Sequence, residues 1–83
     1  MLEKVQQLGD SVTRDQLKDL EKTLGEKLFS LLDHALDSED EEEAESRVAA
    51  FVAEAKKSPI KVLKVRKILT PEQKDIVMEL MGD

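Results

Sequence analysis

The sequence predicts an all-α protein, built as an antiparallel helical hairpin of two long helices with short flanking helices. Three observations support this prediction. Helix-forming residues dominate the composition, with only three glycines and two prolines in the chain. Apolar residues recur at spacings of three and four, the period of a helix with one buried face. A helix-start box, Thr-x-x-Gln, occurs twice, at Thr13–Gln16 and at Thr70–Gln73.

The 83 residues are enough for one helical domain, spanning residues 1–83. A chain of this length buries only roughly 60–65% of the surface that its unfolded form exposes, so a monomer has a small stability margin. Disulfides cannot supply additional stability because the chain has no cysteine. The core must be aliphatic, since there are two phenylalanines and no tryptophan or tyrosine. Good helix–helix packing, a metal or self-association could supply that stability instead, and of these we expect self-association, as a homodimer.

The first two helices are predicted from their ends. Leu2, Val5 and Leu8 have helical spacing, and Gly9 is expected to end this short helix. A capping box then begins a long helix over residues 14–37. In such a box the Thr hydroxyl accepts from the Gln backbone N–H, while the Gln side chain accepts from the Thr N–H. The apolar stripe of the long helix consists of Leu17, Leu20, Leu24, Leu28, Leu31 and Ala35.

The second half of the chain begins with an acidic turn over residues 37–43, which Ser38 or Asp40 is expected to cap. A helix follows, and Pro59 is expected to end or kink it. Residues 60–69 are rich in β-branched residues, but their apolar positions do not alternate. They fit two neighbouring helical stripes, which predicts a helix. These stripes are Ile60/Leu63 and Val62/Val65/Leu69. The second box, with Pro71 at the first helical position, begins the last helix.

The two boxes carry a family resemblance. Residues 12–16 read Val-Thr-Arg-Asp-Gln and residues 69–73 read Leu-Thr-Pro-Glu-Gln. They resemble the paired LTxxQ motifs of the Spy/CpxP/CnrX-like superfamily of periplasmic stress chaperones and metal-resistance sensors. The second box matches that motif fully, and the first has Val12 in place of leucine. The resemblance implies a curved dimer of helical hairpins that binds unfolded clients, partner proteins or metal ions.

A run of basic residues precedes the second box and contains no acidic residue. Its members are the candidate partner-binding residues Lys56, Lys57, Lys61, Lys64, Arg66 and Lys67. One interpretation is a solvated face whose aliphatic stems cover apolar surface. Another is self-association of this run with the acidic segment of a second chain. A third is a cationic, apolar-flanked surface for acidic or unfolded clients. Nucleic-acid binding is disfavoured, because aromatic residues are missing and the net charge is −6.

Metal binding has one weak candidate, His34, which lies beside Asp33 and Asp37 near the end of the long helix. The His34/Asp37 pair could form half of a site, which a second chain or Met78 and Met81 would have to complete. We favour instead a surface histidine that interacts with the helix C-terminus. The acidic residues 37–45 lack the alternating ligands and central glycine of a calcium-binding loop. No metal or other cofactor is therefore expected.

The predicted function is non-enzymatic, because the chain has no cysteine, phosphate-binding loop or recognisable nucleophile constellation. We predict a Spy/CpxP-like chaperone, or a stress- or metal-response adaptor, that binds protein clients. The alternative is a cytoplasmic helical adaptor or regulator acting through protein–protein contacts. No membrane span or secretory signal is visible. The expected location is the periplasm if a signal precedes Met1, and otherwise the cytoplasm.

Overall fold

A computed structural model describes residues 1–82 and contains, within them, six helices and no strand. The all-α prediction is therefore confirmed. The helices are α1 (Leu2–Ser11), α2 (Arg14–Leu24), α3 (Glu26–Leu36), α4 (Glu41–Ala55), α5 (Pro59–Ile68) and α6 (Pro71–Leu80). They form a body of 28 × 25 × 23 Å. In this part of the chain no helix combines the length and apolar character that crossing a membrane requires.

The helix predicted over residues 14–37 is broken at Gly25, so α2 and α3 replace it. Gly25 has φ +86° and ψ 166°, a conformation almost restricted to glycine. The broken end of α2 is not left unsatisfied, because the Lys61 Nζ donates a hydrogen bond of 3.0 Å to the Leu24 carbonyl. The Leu residues on either side of Gly25 nevertheless stay in one core, since Leu24 and Leu28 are both buried.

Of two further predicted helix ends, the one at Gly9 is wrong and the one at Pro59 is confirmed. Gly9 was expected to end the first helix but lies inside α1, which runs on to Ser11. A Cβ at Gly9 would lie 3.8 Å from the Leu36 Cβ, so the glycine marks a close approach of α1 to Leu36, the last residue of α3. At Pro59 the chain ends one helix and begins another. The two long helices of the predicted hairpin are thus each divided into shorter helices.

Both capping boxes form as predicted. The Thr13 hydroxyl accepts from the Gln16 N–H at 3.1 Å, and the Gln16 Oε1 accepts from the Thr13 N–H at 2.9 Å. The corresponding distances at Thr70 and Gln73 are 3.2 and 3.0 Å. At the acidic turn, Asp40 is the residue that caps α4, through the Glu43 N–H at 2.8 Å.

The boxes belong to a longer internal repeat. α1 and α5 have the same length, and their first residues are 57 positions apart; the two boxes are 57 positions apart as well. We call residues 2–25 the first unit and residues 59–82 the second unit. Five positions are identical between the units: Lys4/Lys61, Val5/Val62, Thr13/Thr70, Gln16/Gln73 and Gly25/Gly82. Both glycines have φ near +85°.

The two units pack crosswise, with α1 against α6 and α2 against α5. This reciprocity is that of two units related by an approximate two-fold axis. The chain between the units forms the antiparallel pair α3–α4, in which Lys27 meets Glu54 at one end and Arg47 reaches the His34 carbonyl at the other. The buried core is aliphatic, as predicted. Its two clusters are Leu20, Leu24, Leu28, Leu32, Ala55, Val65 and Leu69, and Val5, Ala35, Ala44 and Val48.

Candidate functional site

The outer side of α5 exposes two large aliphatic residues to solvent. Ile60 is 67% exposed and Leu63 is 57% exposed, whereas Val65 and Leu69 of the neighbouring stripe are buried. Both stripes were predicted to be helical, and the structure shows that only one of them enters the core. Ile60 and Leu63 lie on one helix face with Lys64 and Lys67, because their spacings are those of successive helical turns. We call these four residues the α5 face.

The six candidate basic residues differ in their exposure and in their contacts. Lys61 is committed to the Leu24 carbonyl, and Lys57 lies 3.4 Å from Glu54. Arg66 is half-buried at the side of α5. The remaining three are exposed, and none of them forms an ion pair within residues 1–82: Lys56, Lys64 and Lys67. Of these three lysines, Lys64 and Lys67 share the α5 face with Ile60 and Leu63, whereas Lys56 follows the end of α4.

The first unit provides an internal control for the α5 face. The residues of α1 at the equivalent positions are all exposed, and all are polar: Glu3, Gln6, Gln7 and Asp10. The equivalent helix of the first unit therefore has a polar outer face. It follows that packing within this fold does not require aliphatic residues at positions 60 and 63.

Charge is segregated along α4. The helix begins with Glu41, Glu42 and Glu43, and the basic run starts at its other end with Lys56. Fifteen helical residues span roughly 22 Å, which exceeds the ~10 Å over which salt screens exposed charges. The two poles therefore do not neutralise each other, and each presents its own field to a partner.

A glutamine pair joins the two units beneath the boxes. The Gln16 Nε2 donates to the Gln73 Oε1 at 2.7 Å, and the Gln73 Nε2 donates to the Gln16 Oε1 at 3.2 Å. Each amide also reaches the end of the other unit's first helix. Gln16 donates to the Ile68 carbonyl at 3.3 Å, and Gln73 donates to the Ser11 carbonyl at 3.0 Å. The box glutamines therefore cap their own helices and tie the two units together.

The two glutamines of this pair differ in how deeply they are buried. Gln73 is 2% exposed, whereas Gln16 is half-buried. A buried amide is tolerated only when its donors and acceptors are satisfied, and no buried side-chain polar atom in the described part of the chain lacks a partner. The two box glutamines therefore have a structural role, and neither side-chain amide is free to bind a ligand.

His34, the predicted weak metal candidate, is exposed near the end of α3. Its backbone carbonyl accepts from the Arg47 Nη1 at 3.1 Å. Across residues 1–82, no three His, Cys, Asp or Glu side chains converge in a way that could hold a metal ion. Within these residues His34 therefore belongs to no such group of three.

One carboxylate has a shifted pKa. The Met1 amino group lies 2.9 Å from the Glu41 Oε1, and the Leu2 N–H donates to the Glu41 Oε2 at 2.7 Å. The hydrogen bond from the amino group, followed by that from Leu2, lowers the pKa of Glu41 below its ordinary value. Glu41 therefore fastens the start of α1 to the start of α4. In the second unit, Pro59 begins α5 without a side-chain cap.

Comparison with known proteins finds no matching family model, no matching curated protein and no matching solved structure.

Proposed function

We propose that this chain is a non-enzymatic binding protein whose α5 face binds an acidic, amphipathic segment of a protein client or partner. The contrast between the outer faces of α5 and α1 carries the proposal. Equivalent positions are polar on α1, so the exposure of Ile60 and Leu63 is not a requirement of the fold. Ile60 and Leu63 lie together on one face beside lysines, and an apolar patch with a polar rim has the character of an interaction surface.

Burial of the two aliphatic side chains supplies the affinity. Complete burial of such a side chain from water is worth roughly 1.5–3 kcal/mol. Since Ile60 and Leu63 are already partly covered, roughly 1–2 kcal/mol remains for each. Association itself costs at least several kcal/mol in lost freedom. The α5 face alone therefore supports a weak, transient complex, and tighter binding requires further contacts by the partner.

The lysines of the α5 face make this surface positively charged. Lys64 and Lys67 have no ion-pair partner in the described residues, so their charge is available to an incoming segment. Exposed charges of this kind raise the rate of encounter with an acidic partner and lose their effect at high salt. We therefore expect binding to weaken as salt is added, with a residual apolar contribution.

The resemblance to Spy/CpxP-like proteins supports one version of this function. In that version the α5 face holds unfolded clients, and the protein acts in the periplasm as a homodimeric stress chaperone or adaptor. The alternative is a cytoplasmic helical adaptor or regulator that uses the same face for one folded partner. The two versions differ in the client, since a chaperone suppresses aggregation of many unfolded chains and an adaptor does not.

The test compares the wild-type chain with a face variant, Ile60→Glu/Leu63→Gln, which carries the residues of α1 at the equivalent positions. Binding is measured by fluorescence anisotropy with a short labelled peptide of glutamate and leucine at helical spacing. A second assay follows aggregation of a chemically denatured protein. Met78→Glu is the matched control, because Met78 is another exposed apolar residue (37%), on α6, and Glu21 stands at its equivalent position.

We expect the face variant to bind the peptide at least about tenfold more weakly, since it loses both apolar contacts. The control should bind as the wild type does, and all three proteins should have similar melting temperatures because the altered side chains are exposed. Unchanged peptide binding by the face variant would contradict the proposal. Preferential binding of a labelled oligonucleotide, sensitive to the lysines alone, would point to nucleic acid instead.

A further inference from the structure

A second surface of the same molecule has the chemistry that the α5 face requires of a partner. It is an open groove of about 840 Å³ between α1, the start of α2 and the turn after α3. Its apolar lining comes from Val12, Leu17 and Leu36, which are half-buried. Its rim is acidic and consists of Asp10, Asp33, Asp37 and Glu39, all exposed. We call it the acidic groove.

The groove carboxylates are not used within the described chain. None of the four takes part in an ion pair among residues 1–82. Within the same residues no hydrogen bond to their carboxylate oxygens is formed either, whereas Glu41, Glu43 and Asp40 nearby all accept from backbone N–H groups. The rim therefore holds negative charge that lacks a countercharge, beside apolar side chains that are only partly covered.

We infer that the acidic groove of one molecule receives the α5 face of a second copy, so that the protein associates head to tail. The inference rests on the proposed function, because it names one partner for the α5 face. The two surfaces are complementary in both respects that matter: aliphatic residues meet an apolar floor, and exposed lysines meet a carboxylate rim. A groove of this volume lies in the range of ~300–1,000 Å³ that accommodates a bound group several side chains in size.

The contact cannot form within one molecule. α5 is fixed by Val65 and Leu69 in the core and by the bond from Lys61 to the Leu24 carbonyl. Its outer face therefore points away from the protein and cannot turn towards its own groove. A second copy brings an unobstructed α5 face, and each copy offers both halves of the contact.

The geometry of assembly follows from the use of two different surfaces. Such a contact is heterologous, so it extends into short chains or closes into a ring, unlike a two-fold dimer in which one surface meets itself. A face of two aliphatic residues implies a small interface, below about 1,200 Å², and hence a weak one. We expect association at high micromolar concentrations, weakened by salt that screens the lysine–carboxylate attraction.

Sedimentation velocity over about 10 µM to 1 mM tests this inference, at low salt and at about 0.5 M NaCl. The face variant Ile60→Glu/Leu63→Gln removes one half of the contact, and a groove variant, Asp10→Asn/Asp33→Asn, weakens the other. The wild type should grow in average mass with concentration, and salt should reduce this growth. Each variant alone should associate about tenfold more weakly.

Mixing the two variants is decisive. The face variant keeps an intact groove and the groove variant keeps an intact α5 face, so one wild-type contact forms between them. The mixture should therefore regain association but stop at a one-to-one pair. A mixture that stays as weak as its components would overturn the head-to-tail arrangement, as would association of the groove variant that equals the wild type.

Peptide binding separates the two proposals. The groove variant should bind the acidic peptide as the wild type does, since its α5 face is unchanged. A wild type that stays monomeric to 1 mM while binding the peptide through the α5 face contradicts the head-to-tail inference and leaves the proposed function standing. Loss of both properties contradicts both. Circular dichroism of each variant confirms that it folds, and the salt dependence of the wild type tests the inference without any substitution.

Discussion

The first and second units have first helices of equal length, matching capping boxes and terminal glycines, yet they differ on their outer faces. What the units share lies at their ends and between them: the box threonines, the glutamine pair and the glycines with positive φ. What differs lies on the exposed sides of α1 and α5. The positions equivalent to Ile60 and Leu63 are occupied by polar residues in α1. The shared features build the fold, and the differing face is free to serve binding.

The largest effect should come from breaking the tie between the units. Replacing Gln73 with alanine removes a cap and leaves the Ser11 carbonyl and the Gln16 amide without their partner in a buried site. We expect a loss of about 3 kcal/mol in the free energy of unfolding, measured by urea denaturation. The same change at Gln16 should cost about half as much, because Gln16 is more exposed.

The Thr13→Ala and Thr70→Ala variants are the controls for this prediction, each costing about 1 kcal/mol for a lost cap. A double-mutant cycle over Gln16 and Gln73 should give a coupling of about 0.5–3 kcal/mol. Losses at both glutamines no larger than those at the threonines would mean that they act as caps alone.

The glycines of the two units should respond unequally to substitution. Gly25→Ala forces alanine into an unfavourable conformation inside the chain, which should cost about 1–3 kcal/mol. The penalty is conformational rather than steric, since the new Cβ would lie 3.6 Å from the Lys61 Nζ. Gly82 has nearly the same φ but is exposed, and no atom of the described residues lies within 4 Å of its Cβ position. Its substitution should cost less.

Gly9→Ala should change the unfolding free energy in the opposite direction. Gly9 is helical and has room for a Cβ, so alanine should stabilise the protein by about 0.5–1 kcal/mol. Thermal unfolding of the three variants, followed by circular dichroism, checks the order. A destabilised Gly9→Ala protein would show that the approach of α1 to Leu36 is tighter than the 3.8 Å distance indicates.

The outer faces can be exchanged between the units. Glu3→Ile/Gln6→Leu gives α1 the aliphatic residues of α5, and adding Gln7→Lys/Asp10→Lys completes the face. We expect the completed variant to gain a second site for the acidic peptide, seen as a doubled stoichiometry in calorimetry. The variant without the lysines should gain less, since the charge attraction is missing. A stoichiometry that does not change would mean that the α5 face depends on its surroundings and not on these four residues.

The smallest effect should be at the start of α1. The folded-state pKa of Glu41 is lowered, so its stabilising effect is present above the ordinary value of 4.5 and is lost as pH falls through the folded-state pKa. The unfolding free energy of Glu41→Gln should therefore lie below that of the wild type at pH 7, and the two should converge at low pH. A gap independent of pH would contradict the ionic origin of the contact.

The sequence supported the local features well and the long-range ones poorly. Both boxes, the Asp40 cap and the helix after Pro59 follow from neighbouring residues, and the structure confirms them. The break at Gly25 did not follow, because a glycine within a helix costs only about 1 kcal/mol and leaves its φ open. The break is accompanied by a hydrogen bond to the Leu24 carbonyl, just before Gly25, and its donor is Lys61, 37 residues further along the chain.

The candidate site was predictable in part. The two apolar stripes of residues 60–69 were separable by helical spacing, but both are aliphatic, so nothing local decides which one faces water. That choice depends on how α5 packs against α2. The glutamine pair was missed because its members are 57 residues apart. A comparison of the chain with itself at that offset would have revealed the repeat, and with it the contrast between Ile60 and Glu3.

The central claim is that α5, and not its counterpart α1, is the binding helix. An NMR titration of the isotope-labelled protein with the acidic peptide tests it most directly, since each backbone amide reports separately. We expect shift changes at residues 60–67 that saturate with the peptide, and none at residues 3–10. Equal changes on both helices, or changes confined to the rest of the surface, would contradict it.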